Sequence, residues 1–86
     1  MNSVNIIGKL RDVIDEKHRY FAYERPYKDE GGEDEPQIVV KYWTNQSKSR
    51  LMLLPSHTRV AIHGHLDTSE KFATILVVEQ LQTMNE

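Results

Sequence analysis

Two groups of residues in this chain could do chemistry: its histidines, and its aromatic side chains with cations close by. His63 and His65 stand two apart, so on a strand they share a face, and His-x-His spacing suits a transition metal such as zinc. Asp67 falls on the same row, but no third ligand is fixed nearby. No metal and no other cofactor is therefore expected, and the pair reads as exposed or interfacial imidazoles. Ser56-His57 sets a hydroxyl beside an imidazole without the strand–turn–helix surroundings of a nucleophile elbow. Gly31-Gly32 lacks the Lys-Ser/Thr that completes a phosphate loop. Cysteine is absent, which removes disulfides, thiolate nucleophiles and cysteine-ligated zinc. An enzyme is not expected. Non-covalent recognition remains: Trp43 lies two residues from Lys41, and Tyr27 two from Arg25, pairing a π face with a positive charge.

Eighty-six residues hold one domain, 1–86, with a single small core. Eleven Lys and Arg against thirteen Asp and Glu give a net charge of −2, which by itself argues against a polyanionic partner. The acids are not evenly spread. Residues 28–36 hold five acids and one base, so the rest of the chain carries ten bases and eight acids, a net +2. Gly31-Gly32 and Pro36 mark this stretch as a loop. It reads as a solvated hairpin tip, or else as an acidic flap competing with phosphate for a basic groove. No apolar run, Ile75-Leu76-Val77-Val78 included, is long enough to span a membrane. Met1-Asn2-Ser3 leads straight into an alternating segment with no basic-then-apolar leader, so a cytoplasmic location is expected.

The elements that must position these residues follow from periodicity. Val4, Ile6, Gly8 and Leu10 alternate with Asn5, Lys9 and Arg11, giving a half-buried first strand in which Gly8 signals a bend or a close backbone approach. Arg19–Tyr27 is rich in aromatics and forms the second strand, faltering at Pro26. Gln37–Thr44 is the third, with Trp43 sharing a face with Val39 and Lys41. Asn45 or Ser47 caps a short helix running to Leu54, before Pro55. Arg59–Leu66 is the fourth strand, residues 67–71 a hairpin loop, and Phe72–Val78 the fifth strand, with Leu81 and Met84 extending its core contribution. Both faces of the fifth strand are apolar, so both are covered, the outer one by a second subunit. Five strands with one helix between the third and fourth is the order of an OB-fold, an all-β oligonucleotide-binding barrel.

The sequence also resembles the bacterial single-stranded DNA-binding protein family. Met1 through Leu10 is similar to the family opening MNxVxxIGxL. Phe21 through Tyr27 is similar to its second strand, Ile38 through Trp43 with Gln46 to the strand ending V-x-W-x-x-Q, Thr58 through Thr68 to G-S-x-V-x-V-x-G-x-L-x-T, and Thr74 through Met84 to the closing strand. The likeness covers nearly the whole chain in order. The departures are a short first loop without Asp-Pro-Glu, a short loop between the last two strands, and no Gly- and Pro-rich tail with an acidic tip. The primosomal accessory proteins, built on the same barrel, are neighbours in resemblance. The resemblance implies a reduced, tail-less binder of single-stranded DNA in replication, recombination, repair or a mobile element, without tail-mediated recruitment of repair proteins.

Such binding needs aromatic faces that stack on bases and cations that follow the phosphates. Trp43 and Tyr27 match stacking positions of the family; for Trp43 the other reading is core or interface filler, for Tyr27 a surface ring at a loop base. Tyr20 is a further stacking candidate from the face opposite Phe21 and Tyr23. Gln37 stands where the family often has an aromatic, and Phe72 is assigned to the core, with stacking as its alternative. Lys41 and Arg25 lead the phosphate contacts, with Lys9, Arg11, Lys48, Arg50, Arg59 and Lys71 completing the pool. Ile7, Ile75 and Val77 are expected at the interface of a homodimer or homotetramer. The competing function is an OB-fold protein–protein interaction module that has lost most DNA binding, since fold does not settle function.

Overall fold

The computed structural model describes residues 2–24, 36–44 and 49–84. Arg25, Tyr27, Lys48, the proposed caps Asn45 and Ser47, and the acidic segment up to Glu35 lie outside the described residues. Five strands, β1 (Val4–Val13), β2 (His18–Tyr23), β3 (Gln37–Tyr42), β4 (Arg59–Ser69) and β5 (Ala73–Thr83), close into a barrel of order β1-β2-β3-β5-β4. β4 returns to pair with β1, and every neighbouring pair is antiparallel except β3 with β5. One helical turn, α1 (Arg50–Leu53), lies between β3 and β4. The chain is all-β, and this order fits the oligonucleotide-binding barrel.

Period-two alternation sends one row of each strand inward. Leu10, Phe21, Val40, Val60, Ile62, Leu76 and Val78 form the core, with Leu51 of α1 joining them. Gly8 lies on the inner row, paired with Tyr23 on one side and Val60 on the other. A Cβ there would overlap the Ala22 carbonyl, and one at Gly64 would overlap the Val77 carbonyl. Both glycines let neighbouring strands approach closely as the sheet curls shut. Closure is helped by two register breaks, one in the β1–β2 ladder between Leu10 and Val13, the other in the β4–β5 ladder at His63/Gly64.

Arg19 is the unexpected member of the interior. It is 1% exposed on the inward row of β2. Its guanidinium donates to the Arg11 carbonyl at the β1 irregularity and to the Leu51 and Leu54 carbonyls at the end of α1. One side chain thus donates to acceptors freed by a bulge and by a helix C-terminus, two places where backbone groups lose their ladder partners. Burial lowers its pKa, and the nearby Asp12 charge opposes that shift.

Several boundaries differ from the periodic reading. β1 runs on to Val13, β3 ends at Tyr42, and the helix begins only at Arg50. β4 continues through Asp67 and Thr68, so the hairpin loop is Glu70-Lys71-Phe72, and β5 starts at Ala73 with φ of 65°. The two strands zip further because Asp67, Thr68 and Ser69 find partners in Ile75, Thr74 and Ala73. That shift moves Phe72 out of the strand, and it is not part of the core cluster.

Candidate functional site

The outward rows of β2, β3, β5 and β4 line up across the barrel wall. Partner by partner, one row reads His18, Lys41, Val77 and His65, and the next reads Tyr20, Val39, Ile75 and Asp67. Trp43 extends the outer row of β3 just past the strand's end. Its backbone N–H still donates to the Val78 carbonyl at 2.9 Å, prolonging the parallel pairing. The backbone is therefore held while the ring stays in water: Trp43 is 59% exposed, with Tyr42 its ring neighbour at 6.2 Å between centroids. Filler of the chain's own core is thereby excluded as its role. Tyr20 is also exposed, on the face opposite Phe21 and Tyr23. The wall thus presents an exposed indole, an exposed phenol and the Lys41 ammonium on an apolar base of Val39 and Val77.

At the other end of the same row, two turns meet. His18 packs against Phe72 of the β4–β5 turn, the rings tilted by 45° with 4.9 Å between centroids, and Lys71 lies 5.2 Å over the Phe72 ring. Phe72 is thus a half-buried surface ring rather than core, which corrects the sequence assignment. Asp15 of the β1–β2 turn closes the group. Its Oδ1 accepts from the backbone N–H groups of Lys17 and His18, at 2.8 and 2.9 Å, and lies 2.8 Å from His18 Nδ1. Its Oδ2 lies 3.9 Å from Lys71 Nζ. The Lys17 N–H holds the Asp15 carboxyl below its ordinary value, with the His18 contacts adding to it and partial burial opposing it. His18 and Asp15 went unrecognised in the sequence; only the outward period of β2 could have pointed to His18.

The remaining cations disperse. Lys9 is outward on β1, paired with Ala22, one row from Tyr20. Arg59, its partner on β4, forms a bidentate pair with Glu24 at 3.0 and 3.1 Å. Arg59 holds the Glu24 carboxyl below its ordinary value, against a small desolvation effect, with Lys9 helping. Arg11 points towards His57 Nδ1, 3.5 Å away, and Arg50 donates to Thr83 Oγ1, so neither joins the row of Lys41 and Trp43. Lys71 does reach that row's end through Phe72 and His18.

The expected interface residues also separate. Ile7 is outward and exposed beside Ala61, whereas Val77 and Ile75 belong to the rows that carry Lys41 and Tyr20. Ile75 is only 5% exposed and offers little to a partner. His63 and His65 both face Glu79, at 3.8 and 3.2 Å, and His63 Nδ1 lies 2.7 Å from Asn5 Oδ1. Among the described residues no group of three or more His, Cys, Asp or Glu is arranged to hold a metal ion, and no helix is long and apolar enough to cross a membrane. No protein-family model matches this chain, and no curated protein matches it.

Proposed function

We propose that this chain binds single-stranded DNA without sequence preference, by stacking bases on the outer wall of β2 and β3 and neutralising phosphates with the lysines around it. The observation that carries the reading is Trp43, more than half exposed on a backbone tied to β5, with Lys41 on its row and Tyr20 on the neighbouring strand. An exposed indole beside a cation on a curved sheet is what sequence-tolerant stacking requires. The strand order and the resemblance to the single-stranded DNA-binding family support the same reading, with a proposed role in replication, recombination or repair. Titration with oligo-dT at low salt, followed by Trp43 fluorescence, tests it: saturable quenching that weakens with added salt is expected.

The second reading, a protein-docking OB-fold module, draws on the exposed Val13, Leu53 and Leu66. Absence of quenching at every salt concentration would favour it. Ile7, exposed beside Ala61 and away from the stacking wall, supports a proposed self-association as a homodimer or homotetramer. Light scattering of the protein and of Ile7→Glu gives the subunit count.

A further inference from the structure

Four hydrogen-bond or charge donors converge on Asp15: two backbone N–H groups, the His18 ring and the Lys71 ammonium. That is the donor set of an anion site, and the protein's own carboxylate fills it. The site ends the row that runs through His18 to Lys41, and Trp43 extends the same face of β3. We propose that Asp15 is an internal stand-in for a nucleic-acid phosphate, holding Lys71 and His18 in its absence, and that a bound strand displaces it to place one phosphate there.

The inference rests on the binding function proposed above and adds a regulatory contact to it. Asp15 is partly exposed and lies in a turn, so it can swing away without disturbing the core. The two anions compete for one group of donors, so binding is weaker than the wall itself would support. Neutralising Asp15 should strengthen binding, because the phosphate then meets no competing carboxylate.

Asp15→Asn is the direct test, because the amide oxygen still accepts from Lys17 and His18 and preserves the turn, while the charge holding Lys71 is gone. Oligo-dT affinity is expected to rise about 3- to 5-fold at low salt. The log–log salt slope should stay close to that of the wild type, because the same phosphate occupies the site in both. Adding Lys71→Ala to Asp15→Asn should cancel the gain. Glu16→Gln, on the exposed neighbouring acid, should leave affinity unchanged. Unchanged affinity in folded Asp15→Asn overturns the inference, as does an equal gain in Glu16→Gln, which would make the effect one of net charge. If wild type quenches and Asp15→Asn quenches identically, only this inference fails. If neither protein binds, the proposed function fails and takes the inference with it.

Discussion

Trp43 and Arg19 exchange the places that residue type alone would assign them. The indole stands in water, while the guanidinium is buried against main-chain carbonyls. Trp43→Ala should therefore leave stability within about 0.5 kcal/mol, since no core contact is lost. The same change should weaken oligo-dT binding by ~1–3 kcal/mol, roughly 5- to 150-fold. Arg19→Met keeps the apolar stem but strands the carbonyls of Arg11, Leu51 and Leu54. Each buried acceptor left unpaired costs ~1–3 kcal/mol, so urea unfolding should show a loss of about 3 kcal/mol or more. Asp15 and Glu24 both have folded pKa values below their unfolded ones, through the Lys17 N–H and Arg59 respectively. Their stabilisation is fully present above pH ~4–5 and is lost as pH falls through the lower folded values. Unfolding midpoints measured from pH 6 downwards should fall along that acid limb, and Glu24→Gln should flatten it.

At the scale of elements, the barrel depends on where strands can touch. Gly8→Ala would drive a methyl into the Ala22 carbonyl, backbone against backbone, so the β1–β2 ladder must open. A loss of about 1–3 kcal/mol or more is expected, read as a lower unfolding midpoint in urea with an unchanged slope. This glycine and the inward rows of β1, β3 and β4 were legible in the sequence, because period-two alternation with one small residue has few structural meanings. The role of Arg19 was not: a charged residue on an inward row looks like a break in the pattern, and its carbonyl partners come from a bulge and a helix end some 8 to 35 residues away. Phe72 was misplaced because β4 zips to Ser69, and the alternation of 67–69 is too polar to reveal pairing. The stacking wall was half legible. Trp43, Lys41 and Tyr20 follow from alternation, whereas the meeting of His18, Asp15 and Phe72 depends on two turns coming together in space.

At the scale of the whole molecule, the net charge of −2 averages over two unlike parts, the nine residues 28–36 and a remainder of +2. A strand laid along the β2–β3 wall would meet Lys41, with Lys71 at the end of its row and Lys9 one row from Tyr20. About three phosphates neutralised predicts a log–log salt slope near −2. The most direct test of the account is the Trp43 fluorescence titration with oligo-dT across salt concentrations. The account predicts saturable quenching at low salt whose affinity falls with a slope near −2. Unquenched fluorescence under saturating oligonucleotide at low salt would contradict it.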